Sequence, residues 1–147
     1  MTDNLKPEDR RKTMRAVRGK GTKLELRLFS MLAGMRIKGW KKNVGNIEGK
    51  PDVAFLEKKM AIFIDGCFWH GCEGCGHIPT KNQPFWQAKI DRNRERDRQI
   101  TARLRRQGVS VLRFWEHQVA DSLKECIEKT RSRLELKRKR RFLKRKV

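Results

Sequence analysis

Oxygen ligands for a hard metal ion stand at the ends of two apolar runs in this sequence. Asp52 begins the run over 51–56, and the run over 60–64 ends at Ile64 and Asp65. If the two runs pair as a hairpin, these positions meet in space and offer the oxygen donors that Mg²⁺ prefers. A Mg²⁺ ion held there would neutralise charge on a phosphodiester and acidify a water molecule. Asp52 alone is weak evidence, because aspartate is common in turns.

The next segment, residues 66–70, reads Gly-Cys-Phe-Trp-His. His70 is placed to act as a general base beside a metal-bound phosphate, although a histidine by itself is as often a surface residue or a metal ligand. The neighbouring rings of Phe68 and Trp69 would either cap the core, which is the more frequent role, or stack on or wedge between bases. Trp86, preceded by Phe85, offers a third ring of this kind.

Three of the four cysteines form a cluster. Cys67, Cys72 and Cys75 lie within nine residues, and the last two have the Cys-x₂-Cys spacing of zinc chelates. In a reducing compartment such a cluster indicates metal binding, the alternative being reduced thiols without metal. We favour His117 as the fourth ligand because it follows the last predicted strand, and a closed Cys₃His site would be structural. The other candidates for the fourth ligand are His77 and Cys126.

The charge of the chain points to a polyanionic partner. Its 147 residues include 38 Lys and Arg against 17 Asp and Glu, a net charge of +21. DNA, RNA or an anionic membrane surface would explain this excess, and together with the motifs it favours nucleic acid. No apolar run approaches the roughly 20 residues that span a bilayer, and the N-terminus lacks a secretory signal pattern, so we expect a cytoplasmic protein.

The elements that position these residues alternate between helices and strands. We expect a helix near residues 7–18, a break at 19–21, and a second helix that Thr22 and Glu25 cap in a capping box. Strands over 51–56 and 60–64 flank a turn, and residues 66–83 are irregular. A charged helix over 84–107, a strand over 109–115 and a last helix from about residue 117 complete the order.

A strand–helix–strand crossover predicts an α/β fold with a parallel strand pair and helices packed on the sheet. We divide the chain into a domain over 1–130 and a basic tail over 131–147. The tail carries ten Lys or Arg residues and one Glu. It is either a solvated disordered end or a segment that binds phosphates without sequence preference.

Several of these motifs occur together in a known family. From about residue 10 to residue 120 the chain resembles the very short patch repair (Vsr) DNA mismatch endonucleases, and the string over 66–70 at its distance from Pro51-Asp52 is the most specific part. The remaining positions that carry the resemblance are Met14, Glu25, Gly49-Lys50, Pro84-Phe85-Trp86 with Lys89 and Asn93, Glu95-Arg96-Asp97-Arg98, and Trp115-Glu116.

The resemblance implies a restriction-endonuclease-like fold, with a central mixed β-sheet flanked by helices, and a Mg²⁺-dependent reaction that nicks one DNA strand on the 5′ side of the thymine in a T:G mismatch. It implies that Asp52 and the main-chain carbonyl of Ile64 bind Mg²⁺ and that His70 activates the water. Glu25 would orient His70 or support the metal site.

The resemblance also implies how the mismatch is recognised. The rings of Phe68, Trp69 and Trp86 would intercalate from the major-groove side, and Met14 would wedge in from the minor groove. The mismatched pair would be read by Lys89 and Asn93. A T:G wobble pair stacks less well than a correct pair, so inserted rings open it at lower cost. The implied partners of this presumed monomer are T:G-mismatched double-stranded DNA and mismatch-repair proteins.

Three positions depart from the family pattern. Ile64 replaces a Thr, which spares a carbonyl ligand but not a hydroxyl contact. Asp65 replaces a His, and it would serve as a second metal carboxylate or bind the waters of the metal. Compared with the zinc set of the family, the thiol and the imidazole are exchanged between the positions of Cys75 and His117, and the set still has four zinc ligands. The rival hypotheses are a non-catalytic, zinc-stabilised DNA-binding module and a basic ribosome-associated protein, of which the latter explains only the charge.

Overall fold

The computed structural model describes residues 23–74 and 78–145, with side chains as far as Lys139. The predicted first helix lies outside the described residues. So do Met14, Thr22, Cys75 and His77, and the expectations attached to them stay predictions.

A four-stranded mixed sheet lies at the centre of the described chain. Its strands stand in sequence order, β1 Lys41–Lys42, β2 Val53–Phe55, β3 Met60–Asp65 and β4 Ser110–Trp115. The first three run antiparallel to their neighbours, and β3 pairs in parallel with β4. The expected mixed sheet and the parallel pair made by the crossover are therefore confirmed.

Helices cover both faces of this sheet, which is why β3 is an almost unbroken apolar strand. They are α1 Lys23–Gly34, α2 Gln83–Arg106, α3 Glu116–Asp121 and α4 Leu123–Arg145. On one face Leu28, Val119 and Ile127 from α1, α3 and α4 share a core with Phe55 and Ile62 of the sheet. On the other face α2 contributes Leu104, which packs on Ala61, Phe63 and Val111.

The element bounds follow the sequence patterns with two differences. Strand β2 is shorter than the predicted run over 51–56, so Asp52 stands just before it. In place of the single predicted last helix there are two helices, α3 and α4, and the helix is interrupted at Ser122 between them. Helix α2 ends as expected before Gly108, whose φ of +83° is the left-handed conformation of a glycine C-cap.

The C-terminal helix carries the polypeptide across the predicted boundary at residue 130. Thr130 is fully buried, its hydroxyl donates to the carbonyl of Cys126, and Leu134 still packs in the core. The first turns of the basic segment are thus part of the packed structure. Within residues 23–74 and 78–145, no helix combines the length and apolar composition needed to cross a membrane.

Candidate active site

The two predicted metal-binding positions meet at one edge of the sheet. Asp52 enters the ladder with β3, its amide donating to the carbonyl of Ile62 at 3.0 Å. Its carboxylate then accepts a hydrogen bond from the amide of Ile64 at 2.7 Å. The hairpin therefore brings residues 52 and 64 together as the sequence predicts. A cleft of about 780 Å³ opens here, lined by Asp52, Ile64, Glu25, Trp69, His70 and Glu116 among others.

Glu25 of α1 completes a carboxyl pair with Asp52. It is only 8% exposed, and its side chain hydrogen-bonds with Asp52. Burial is the largest cause that raises the pKa of Asp52 to about 7, and the hydrogen bond and charge of Glu25 add to it, while the Ile64 amide lowers it. Two buried carboxyl groups of this kind hold a proton until a cation replaces it. Hard oxygen donors beside a strand end fit Mg²⁺.

His70 lines the same cleft and is held from behind. Its Nδ1 makes a short hydrogen bond with Oδ2 of Asp97, and Oδ1 of Asp65 lies 3.8 Å from the same nitrogen. Asp97 lies on α2. The motif over 95–98 includes it, but the sequence predicted no role for its carboxylate. Its spacing of four residues from Asn93 places both on one helix face, which was the signal available.

Asp65 is buried and is not one of the residues that line the cleft. Its Oδ1 accepts a hydrogen bond from Nη1 of Arg113 at 2.8 Å. Burial raises the pKa of Asp65, and the charges of Arg113 and His70 act in the opposite direction. Arg113 on β4 was not predicted from the sequence, because an arginine in a strand pattern reads as a solvent-facing residue. The contacts favour a supporting position for Asp65 over direct metal binding.

The loop after β3 is fastened to the start of α3 by Glu116. Its Oε1 accepts the amide hydrogen of Cys67 at 2.9 Å. A Cβ on Gly66 would lie 2.8 Å from that same oxygen, so a larger residue there would require the Glu116 carboxylate to shift. The loop then turns back on itself through His70 N to Gly66 O at 3.0 Å and Cys72 N to Cys67 O at 2.9 Å.

Three predicted zinc-binding residues are adjacent. Nδ1 of His117 lies 3.3 Å from Sγ of Cys67 and 3.8 Å from Sγ of Cys72. Zinc bonds of about 2.3 Å to sulfur and about 2.0 Å to nitrogen at a tetrahedral angle separate the two ligand atoms by about 3.6 Å, so the donors fit the ion. Cys126, one candidate for the fourth ligand, is instead buried in the core, which raises the pKa of its thiol.

The predicted intercalating rings form one cluster. Phe68 packs edge-on against Trp69 and Trp86, with centroids 5.1 and 5.6 Å apart. Trp86 is only 5% exposed, whereas Phe85, which contacts it at 5.2 Å, is 56% exposed. The rings therefore contact one another, and of these four only Trp86 is buried.

The two residues expected to read the mismatch also touch this loop. The ammonium group of Lys89 lies 5.0 Å from the Trp69 ring centre, within the range of a cation–π contact. The side-chain amide of Asn93 donates to the Trp69 carbonyl at 3.0 Å. Two arginines also line the cleft from the same helix and give it positive charge near the carboxylates. They are Arg92, which the sequence patterns did not indicate, and Arg96, which was known only as part of the motif over 95–98.

Comparisons with known proteins find a matching family model and several relatives. The family model described as "DNA mismatch endonuclease Vsr" matches residues 2–75. A type II nicking enzyme of Neisseria meningitidis serogroup C, V.NmeDIP, is 44% identical over 131 residues, which cover 88% of each chain. V.NaeI of Lentzea aerocolonigenes is 44% identical over 74% of this chain and 68% of its own. The DNA mismatch endonuclease Vsr of Escherichia coli K12 is 36% identical over 79% and 74%.

Proposed function

Because the chain belongs to the Vsr family of DNA mismatch endonucleases, we propose that it nicks one strand of duplex DNA on the 5′ side of the thymine in a T:G mismatch, with Mg²⁺ as cofactor. One observation carries the catalytic part of this proposal. Asp52, the Ile64 strand end, Glu25 and His70 line a single cleft that also presents basic side chains to a phosphate backbone. This combination suits phosphodiester hydrolysis.

The proposed ligands of Mg²⁺ are the carboxylate of Asp52 and the main-chain carbonyl of Ile64. Glu25 would support the site through its contact with Asp52 or through a water bound to the ion. When bound, the ion supplies charge neutralisation at the phosphate and acidifies a water. The side chains do the rest. His70 receives the proton of the attacking water through Nε2, because Asp97 occupies Nδ1. Asp97 thereby fixes both the tautomer and the direction of the ring.

Mismatch recognition is assigned to the aromatic cluster. Phe68, Trp69 and Trp86 lie in mutual contact, so inserting them into the duplex exchanges ring–ring contacts for ring–base contacts. The exchange favours a pair that is already weakly stacked, which a T:G wobble is. Lys89 and Asn93 would leave their contacts with Trp69 to face the mismatched bases, and Met14 would enter from the minor groove.

A structural zinc ion bound by Cys67, Cys72, Cys75 and His117 would complete the scaffold. It would tie the loop that carries the rings and His70 to the start of α3, beside the contact of Glu116 with Cys67. A loop fixed at both ends keeps ring insertion and base placement in one rigid unit. We further infer a restriction-endonuclease-like fold, a cytoplasmic monomer, a catalytic unit over residues 1–130 with a phosphate-binding tail, and mismatch-repair proteins as partners.

The test separates catalysis from binding. Asp52→Ala should abolish Mg²⁺-dependent nicking of a T:G duplex while its affinity for that duplex, measured in Ca²⁺, stays within about twofold of wild type, because the carboxylate serves the reaction and not the DNA. Asp91→Ala is the matched control, since Asp91 is an exposed aspartate on α2. Nicking retained by Asp52→Ala would remove Asp52 from its role. Binding without nicking by the wild type, under several divalent ions, would support a DNA-binding module instead.

A further inference from the structure

Arg113 lies behind His70 rather than in the cleft. It sits on β4 opposite Phe63 of β3, and its guanidinium carbon is 4.3 Å from the centre of the Phe63 ring. Its Nε donates to the hydroxyl of Thr101 at 2.9 Å, and its side chain is 20% exposed. These two contacts hold the guanidinium in place. A side chain held in this way, outside the cleft lining, is not available to a DNA phosphate.

The guanidinium touches two carboxylates that surround one imidazole. Nη1 of Arg113 lies 2.8 Å from Oδ1 of Asp65 and 3.9 Å from Oδ1 of Asp97. The ligand atoms of Asp65, His70 and Asp97 all lie within 4.8 Å of one another, which is the spacing of a metal-binding group. Two acidic groups and an imidazole at this spacing attract a cation, and arginine supplies one that is charged at every physiological pH.

We propose that Arg113 is a positioning residue whose guanidinium serves as the resident cation of this group, holding Asp65 and Asp97 around Nδ1 of His70 and keeping a divalent ion out. The inference rests on the proposed role of His70 as the base. It gives Asp65 a purpose other than metal binding, since Asp65 anchors the guanidinium that in turn orients Asp97. If a divalent ion entered the group, it would bind Nδ1 of His70 and replace the hydrogen bond of Nδ1 with Asp97, so the ring would lose its orientation toward the cleft.

The residue acts through His70, so its loss should lower turnover without weakening DNA binding. Arg113→Met keeps an apolar stem against Phe63 but removes the charge. We expect its single-turnover nicking rate at saturating DNA to fall by about tenfold or more, because general-base catalysis typically contributes 10²–10⁴-fold and depends on geometry. The Kd for the T:G duplex should stay within about twofold. Arg113→Lys keeps a positive charge and should recover part of the rate, whereas Arg105→Met, at an exposed arginine of α2, should change neither.

A second readout does not depend on nicking. Mn²⁺ is the probe, and Asp52→Ala provides a background in which the proposed Mg²⁺ site is disabled. Adding Arg113→Met to this background should create a Mn²⁺ site that calorimetry detects as one further equivalent, and adding Arg113→Lys should not. Replacing Asp65 by Asn as well should abolish the new site, because one of its three ligands is lost.

The outcomes separate the inference from the function it rests on. Absence of nicking by the wild type would end the proposed function, yet the Mn²⁺ titration would still decide whether Arg113 excludes a cation. A wild-type rate in Arg113→Met, or a fall in DNA affinity that accounts for the lost rate, would overturn the positioning role. So would an equal loss in Arg113→Met and Arg113→Lys together with a lowered Tm in both, since that is the behaviour of a residue needed only for folding.

Discussion

Mg²⁺ binding should be strongly pH-dependent because the proposed ligand Asp52 titrates near neutral pH in the metal-free protein. Burial and the neighbouring carboxyl of Glu25 raise its pKa to about 7. A metal ligand must lose its proton before the ion binds, so protons and Mg²⁺ compete for the same oxygen atoms. Lowering the pH should therefore raise the Mg²⁺ concentration that gives half of the maximal nicking rate.

The size of the effect follows from the pKa. At pH 8 Asp52 is mostly ionised, whereas at pH 6, one unit below its pKa, about one molecule in ten carries the carboxylate. The half-saturating Mg²⁺ concentration should thus rise about tenfold from pH 8 to pH 6. Glu25→Gln removes a charge that raises this pKa, so its pH dependence should move to lower pH. Glu128→Gln, at an exposed position on α4, should behave as the wild type.

The assay is a Mg²⁺ titration of single-turnover nicking at several pH values. The maximal rate at saturating Mg²⁺ reports the chemical step, so the half-saturating Mg²⁺ concentration is the quantity that isolates the metal site. A half-saturating concentration that stays constant between pH 6 and pH 8 would refute the reasoning about the Glu25–Asp52 pair.

The same pKa fixes the sign of the stability change without Mg²⁺. Between the unfolded pKa of 3.8 and the folded value of about 7, the folded protein binds more protons at Asp52 than the unfolded chain does. The contribution of this group is complete below pH 3.8 and is lost as the pH rises through about 7. Burial of Asp65 acts in the same direction. The free energy of unfolding without Mg²⁺ should therefore lose this contribution between pH 3.8 and about pH 7. At pH 8, added Mg²⁺ should offset the loss.

Three further predictions test other parts of the account. Trp69→Ala should weaken binding to a T:G duplex by about 1–3 kcal/mol and to its T:A control by less, as measured by fluorescence anisotropy, because base stacking is lost; equal losses would make Trp69 a core residue. Cys72→Ala should lower both Tm and the zinc content of the purified protein, because Cys72 lies beside Cys67 and His117; less than about half an equivalent of zinc in the wild type would contradict the site. Truncation after Lys139 should weaken binding to all DNA and flatten its salt dependence without changing the mismatch preference, since five basic residues are lost. The truncation is placed after Lys139 because one after Thr130 would also remove the buried Leu134. If the protein that ends at Lys139 binds DNA with an unchanged salt dependence, the tail does not bind phosphates.

Local sequence patterns predicted the helices and strands that carry the site. The residues that surround it are brought there by packing between segments that are far apart in the sequence. The apolar runs on either side of the turn at 57–59 were enough to bring Asp52 to Ile64. The resemblance supplied Glu25, whose capping position gave no hint of its contact with Asp52. No local pattern revealed the role of Asp97, because polar residues cover most of α2 and the face toward His70 is set by how the helix packs on the sheet.

The contacts of Arg113 and Glu116 were not predicted from the sequence for a related reason. Each acts on a residue about fifty positions earlier in the chain, across the parallel pairing of β3 and β4. A parallel register cannot be read from either strand alone, so neither partner could be assigned. The break at Ser122 was hidden because the polar and apolar residues of α3 and α4 continue one helical pattern.

Mapping the cleavage product at nucleotide resolution would test the proposed Mg²⁺-dependent nick at a T:G mismatch. Otherwise identical duplexes with T:G, T:A and C:G pairs, each strand labelled in turn, would be incubated with the wild type in Mg²⁺ and separated at nucleotide resolution. The account predicts one product, cut on the 5′ side of the thymine in the T:G duplex, and none from that duplex without a divalent ion. Equal cleavage of all three duplexes, cleavage of both strands, or no cleavage in Mg²⁺ would contradict it.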